Sequence, residues 1–251
     1  MIEDVLKRIY RVLPSNVGEP LKKIYADHAN RRHIRGEVKV STDQIRDLSR
    51  GFRGERILVD CGFNSGIVLE EMLAQLPSFK AYGFELNQQA FQAAATRLQE
   101  NNSRILSLDF AAVTNYDGKT VFYEMGDREH ICPVQGSSII EGLDPARDRG
   151  DETEVDCVDL SSWLERAFDT HRNGYDPFIG IKMDIEGAEY DVLEKLISDG
   201  SIDLVSHLSI EFHARRFVGQ DHVDILEREN AIRAVLAEKS RSNGLQVREW
   251  F

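Results

Sequence analysis

From residue 55 onward, short apolar runs alternate with longer stretches whose apolar positions recur at helical spacing. ERILVDCG, residues 55–62, is a short apolar run and predicts a buried strand. IVLEEMLAQL follows as a helix with Leu69, Met72, Leu73 and Leu76 on one face. KAYGFEL predicts a second strand, and QQAFQAAATRLQENN a second helix, rich in helix formers and ended by an asparagine pair. ILSLDFAAV reads as one third strand. KTVFYEM and TEVDCVDL alternate more and are flanked by Gly, Asp and Pro, which suits hairpin or edge strands. SSWLERAF predicts a helix capped by Ser161 or Ser162, with Glu165 placed for a capping box. FIGIKMDIEG, LVSHLSIEFH and LQVREWF supply three further strands, separated by helices near 188–198 and 222–242. Such alternation implies an α/β, doubly wound, mostly parallel sheet covered on both faces. The first 35 residues read as helical, with Ile2, Leu6, Ile9, Tyr10 and Leu13 at helical spacing and a break at Pro14. The expected division is therefore an N-terminal helical extension, 1–50, and one domain over 51–251.

Composition narrows the partners. With 43 acidic and 31 basic residues the net charge is -12, which repels phosphate backbones. The one basic cluster, Arg31, Arg32, His33 and Arg35, lacks interleaved aromatics, so nucleic acid is not expected as a partner. No apolar run approaches the roughly 20 residues that a membrane span needs, and the first segment carries acids as well as bases, unlike a signal peptide. Cys61, Cys132 and Cys157 are odd in number and widely spaced, which suits reduced thiols in a cytoplasmic protein and neither a disulfide framework nor a zinc site.

In a doubly wound sheet, ligands bind outside the carboxyl ends of the strands. Three stretches should converge there. The loop VDCGFNSG, residues 59–66, carries Asp60, Gly62, Phe63, Asn64, Ser65 and Gly66, and its glycines allow close backbone approach ahead of a helix N-terminus. Glu85 ends the second strand 25 residues after Asp60, a spacing at which an acid commonly accepts from ribose hydroxyls. Asp109, Ala111 and Ala112 end the third strand, where an adenine edge could lie. A nicotinamide dehydrogenase is the main rival on loop geometry, and Asn64 in place of a glycine, together with Ile67, counts against it.

VDCGFNSG resembles the first motif of the FkbM-type S-adenosylmethionine-dependent methyltransferases, approximately Val-Asp-x-Gly-Ala-Asn-x-Gly, with Phe63 where alanine is usual. FELNQQAFQAAATRLQENN resembles the next, with Leu86 in place of a proline. DFAAVTNYDGKTVFYE, GSSII, VDCVDLSSWL, IKMDIEGAEYDVLEKL and IEFH resemble later motifs in the same order, so the similarity spans about 55–215. The resemblance implies a Rossmann-like class I methyltransferase fold with S-adenosylmethionine as cofactor. That ligand has a carboxylate but no phosphate, so the loop needs no pyrophosphate cradle and position 64 can carry a side chain. Backbone N–H groups of Gly62–Gly66 would hold its amino-acid end and Glu85 its ribose, beside Leu86.

Methyl transfer to a hydroxyl needs alignment and removal of a proton. Period-two alternation in FIGIKMDIEG puts Lys182, Asp184 and Glu186 on one face, and in IEFH it pairs Glu211 with His213. Charges inside a covered strand are costly unless that face opens into a cleft. Asp184 and His213 are then expected to face the acceptor, one acting as base, with Lys182 stabilising developing negative charge or orienting the carboxylate. A structural ion-pair network of Lys182 with Glu186 or Glu211 is the bland alternative. A divalent ion on Asp184, Glu211 and His213 is chemically compatible but not favoured, because Lys182 and Glu186 can fill the same space. Ser137 and Ser138 are placed over the cleft, and the segment around Cys132 and DPARDRGDE reads as a substrate-selecting loop. The acceptor class implied by the resemblance is a hydroxyl on a sugar or natural-product scaffold. Amide N-methylation of a peptide side chain, and a non-catalytic cofactor-binding or partner-binding domain, remain alternatives. The N-terminal helices either cover the cleft or pair with a second copy of the chain.

Overall fold

The computed structural model describes residues 34–101, 103–125, 137–141, 143, 149–168 and 176–250. Residues 1–33, Cys132 and most of the DPARDRGDE segment lie outside them. A helix, α1, covers 34–49. The chain then runs β1 (Arg56–Cys61), α2 (Ile67–Gln75), β2 (Lys80–Glu85), α3 (Gln88–Arg97), β3 (Ile105–Phe110), β4 (Ala112–Thr114), β5 (Gly118–Met125), β6 (Arg149–Asp159), α4 (Leu160–Ala167), β7 (Phe178–Met183), α5 (Glu189–Asp199), β8 (His207–Ile210), α6 (Gly219–Ser242) and β9 (Gln246–Glu249).

Six strands form one sheet in the order β3-β2-β1-β7-β8-β9, and every described pairing in it is parallel. β1 and β7 lie at its centre and are buried along nearly their whole length, which is why both are mostly apolar, with Asp60 and Lys182 as buried exceptions. Alternate residues of β1 enter opposite cores. Ile57, Val59 and Cys61 pack with Leu193 and Leu196 of α5 and Ile232 and Leu236 of α6. Leu58 packs on the other face with Val38 and Ile45 of α1 and Leu69 and Leu73 of α2. Fully burying one such Leu or Ile side chain contributes about 1.5–3 kcal/mol, so the two layers hold the central strands firmly. Helix α1 is also pinned by Ser41 Oγ to Ser209 Oγ at 3.2 Å and by Arg248 to Glu37 at 2.5 Å.

Two expectations are corrected. ILSLDFAAV is not one strand. The chain leaves the main sheet at Ala111, whose N–H donates to Glu85 O at 3.1 Å, and Ala112–Thr114 joins a second sheet of order β4-β6-β5. Both halves are apolar, so hydrophobicity could not mark the break. Nor does a serine cap α4: Asp159 is the N-cap, its carboxylate accepting from Ser162 N at 3.2 Å and Ser162 Oγ at 2.9 Å. The pairing of Thr114 with Asp159 ends β6 at that residue, so the helix begins earlier than the serines suggest. The hairpin reading of the two alternating runs agrees with the antiparallel pairing of β5 with β6. Among the described residues no helix is long and apolar enough to cross a membrane.

Candidate active site

Sheet order reverses direction between β1 and β7, so the cleft beyond their carboxyl ends is where this fold takes ligands. The β1–α2 loop enters it under tight constraint. Gly62 has φ 80, and a Cβ there would lie 2.1 Å from Asp184 O, so no other residue fits. Asn64 has φ 51, a left-handed conformation that asparagine tolerates better than most residues, and its Oδ1 accepts from Ser65 N at 2.6 Å. Phe63 is 2% exposed. Its ring packs beneath the loop, 6.0 Å from the Phe91 ring and over Gly83, where a Cβ would meet it at 2.6 Å. The Phe63 ring therefore belongs to the core beneath the loop.

The loop N–H groups are not free to cradle a carboxylate. Gly62 and Phe63 donate to Phe84 O at 2.9 and 3.2 Å, Asn64 to Glu85 Oε2 at 2.7 Å, and Gly66 to Phe63 O at 2.9 Å. The N–H groups available to a ligand are those of the first turn of α2, which lack intrahelical partners. Glu85, 8% exposed, is a clamp as well as a strand end. Its Oε1 accepts from Leu86 N at 2.9 Å and Asn87 N at 2.7 Å. A proline at 86 would remove one of those donors. Burial raises the Glu85 pKa, against the pull of these backbone N–H groups. A carboxylate has about four acceptor positions, so Oε2 keeps one for a ligand hydroxyl. Gly62, Asn64, Glu85, Leu86, Ser137, Asp184 and Glu186 line one cleft. Asp109 accepts from Ser107 Oγ at 2.9 Å, and Ala111 and Ala112 are buried where the chain changes sheets.

The charged residues meet differently from the alternation expected. β7 ends at Met183, so Asp184 and Glu186 belong to the following turn, in which Glu186 has φ 55 and Gly187 φ 107. Lys182, 4% exposed, pairs neither with Glu186 nor with Glu211. Its Nζ donates to Gly62 O at 2.7 Å and lies 3.3 Å from Asp60 Oδ1 and 3.4 Å from Asp184 Oδ2. This follows from register, because Asp60 and Lys182 are directly opposed in the β1–β7 ladder. Lys182 thus ties the loop to the β7 turn. Asp60 is fully enclosed, neither of its oxygens is hydrogen-bonded among the described residues, and burial raises its pKa.

β8 likewise ends before its charged residues, which brings His213 over the same turn. Nδ1 of His213 lies 3.2 Å from Glu189 Oε1, which also accepts from His213 N at 2.7 Å. Nε2 lies 3.3 Å from Glu186 Oε2 and 3.7 Å from both Asp184 Oδ1 and Glu211 Oε1. Burial opposes charge on this imidazole, but Glu189, Glu186 and Asp184 outweigh it and raise the pKa to about 9. At neutral pH His213 is then a donor toward the carboxylates around Nε2. Glu211 is drawn away by Arg215 at 2.6 Å, and Arg216 pairs with Glu186. Glu189 and Arg216 were not singled out from the sequence. Glu189 had a signal, as the closing acid of IKMDIEGAE, but at a helix start it reads as a dipole partner. Ser138 Oγ donates to Glu186 O at 2.6 Å, fixing the turn from the far side.

The sequence pattern described as the methyltransferase FkbM domain matches residues 60–234. The chain belongs to the FkbM methyltransferase family. The matched span contains every site residue named above, from the Asp60 loop to His213. Solved structures similar to this FkbM domain include the plantazolicin methyltransferase BpumL in complex with a monoazolic desmethylPZN analog and SAH, at 14% identity and TM-score 0.37, covering 96% of this chain and 79% of that one. BpumL with SAH alone aligns at 14% identity and TM-score 0.34, over 96% and 72%. No curated protein matches this chain.

Proposed function

We propose that this FkbM domain transfers a methyl group from S-adenosylmethionine to a hydroxyl on a sugar or natural-product scaffold. The observation that carries the reading is that Asp184 and Glu186 line the same cleft as Gly62, Asn64 and Glu85. On this reading Asp184 is the acceptor-side carboxylate, beside a loop suited to the methyl donor. Glu85 Oε2 would take a ribose hydroxyl, and the first turn of α2 would take the donor's carboxylate. Asp184, partly exposed and tethered by Lys182, would accept the acceptor's proton while the oxygen attacks the sulfonium methyl in line. Because most of this chemistry is positioning, the Lys182 tie between loop and turn matters for rate as well as for folding.

The test is a screen of glycan, polyketide and peptide acceptors with labelled methyl donor, with S-adenosylhomocysteine titrated calorimetrically. Labelled ether product and roughly micromolar binding of the donor product are expected. Label on peptide amide nitrogen would replace the hydroxyl assignment, and binding without transfer to any acceptor class would favour a cofactor-binding role.

A further inference from the structure

The structure assigns a divalent-metal site to Asp184, Glu186 and His213. One donor atom from each lies within 4.8 Å of the others. His213 Nε2 stands 3.3 Å from Glu186 Oε2 and 3.7 Å from Asp184 Oδ1. Neighbouring donors around an ion with bonds of about 2.1 Å are about 3.0–3.5 Å apart, so closure of the set needs small side-chain movements and release of Glu186 Oε2 from Arg216.

The buried histidine separates this group from an ordinary acidic patch. His213 is 3% exposed and Glu189 0%. An ionised carboxylate only accepts, so Glu189 fixes the proton on Nδ1 and turns Nε2 toward the carboxylates. Nε2 meets no donor among the described residues. A carboxylate holding the far nitrogen of an imidazole whose near nitrogen faces further carboxylates is the outer-shell arrangement of metal-ligating histidines. Gly187 N donates to Glu189 Oε2 at 2.8 Å, so the same buried acid also sets the turn that presents Glu186.

Charge points the same way. Among the described residues, the acids Asp60, Asp184, Glu186, Glu189 and Glu211 outnumber the permanent cations Lys182, Arg215 and Arg216 beside them. A divalent ion offsets that excess of negative charge, and it would displace the proton that His213 otherwise carries on Nε2. One imidazole with carboxylate oxygens suits Mn²⁺, Fe²⁺ or Zn²⁺ better than Mg²⁺ or Ca²⁺, which take oxygen alone. Asp184 and Glu186 open to the cleft, so the ion's remaining positions face the acceptor. This role rests on the methyltransferase reading: an ion-bound hydroxyl has a lowered pKa and gives its proton to the Asp184 oxygen that is not on the ion. The hydroxyl oxygen then forms the new bond to carbon as the carbon–sulfur bond breaks and the neutral thioether leaves.

The experiment is a titration of the chelator-stripped full chain with Mn²⁺, following the free aquo-ion signal by electron paramagnetic resonance, with Zn²⁺ as competitor. One Mn²⁺ per chain is expected, with affinity lowered at least tenfold in Asp184→Asn and in His213→Ala. If His213→Ala does not fold, Asp184→Asn, at a part-exposed position, decides. Absence of stoichiometric Mn²⁺ or Zn²⁺ binding overturns the site, as does binding unchanged in the folded variants. A parallel S-adenosylhomocysteine titration keeps the two readings apart, since metal binding without it leaves the ion site standing and removes the methyltransferase role.

Discussion

Glu85→Gln is the substitution that most directly separates a ligand anchor from a structural clamp. The carboxylate takes three backbone N–H groups at 2.7–2.9 Å, from Asn64, Leu86 and Asn87, in a site only 8% exposed. Glutamine keeps one oxygen. Directed at Leu86 and Asn87, it leaves its amide NH₂ facing Asn64 N–H; reversed, it abandons two donors instead of one. Even the better orientation loses a hydrogen bond to a charged group, about 1.5–3 kcal/mol, and leaves a buried donor unpaired, about 1–3 kcal/mol. Partial relaxation of the loop makes about 2–4 kcal/mol a reasonable total. For a chain of this size each kcal/mol moves the melting midpoint by about 2–4 °C, so a drop of about 5–15 °C is expected by scanning calorimetry.

The ligand-side effect is distinct. Glu85 Oε2 holds Asn64 N and still offers one acceptor position toward the cleft. Its loss, with the loosened loop, should weaken S-adenosylhomocysteine at least tenfold, about 1.4 kcal/mol. Glu227→Gln, at an exposed position of α6, is the matched control and should move neither quantity appreciably. A Glu85→Gln melting midpoint within 1–2 °C of the control, well inside the shift per kcal/mol, would refute the clamp. Unchanged ligand affinity in a destabilised variant would refute the ribose contact alone.

Two further outcomes test the core beneath the site. Phe63→Ala should cost about 3–5 kcal/mol in urea unfolding, because the ring is 2% exposed and fills the space over Gly83; a smaller stability change with a large loss of ligand affinity would put the ring at the ligand instead. His207 is buried in β8, and burial first, then the Arg248 charge, lowers its pKa to about 4. The unfolded chain therefore binds the extra proton between about pH 6.5 and 4, and stability present above pH 6.5 falls by up to about 3 kcal/mol across that window. In His207→Asn the difference between pH 7 and pH 5 stabilities should shrink; an equal difference in both proteins would refute the assignment.

The sequence carried the sheet because β1 and β7 are covered on both faces, and burial on both faces leaves short, mostly apolar runs between helical stretches. It carried the ligand loop because Gly62 and Asn64 answer backbone demands, a close approach to Asp184 O and a left-handed φ, that few residues meet. What it could not carry is any choice made across the fold. The β3–β4 break lies within one apolar stretch and is set by Ala111 turning to Glu85 O. Period-two reasoning placed Lys182, Asp184 and Glu186 together, yet the strand stops at Met183. Beyond it the partners are fixed by ladder register for Lys182 and by a helix start 24 residues away for His213, through Glu189. The order of roles therefore differs from the order of motifs. Lys182 holds the loop, Glu189 orients the histidine, and Asp184 alone touches both groups, through Lys182 at 3.4 Å and His213 at 3.7 Å. That shared position makes Asp184 the link between the loop that Lys182 holds and the turn beneath His213.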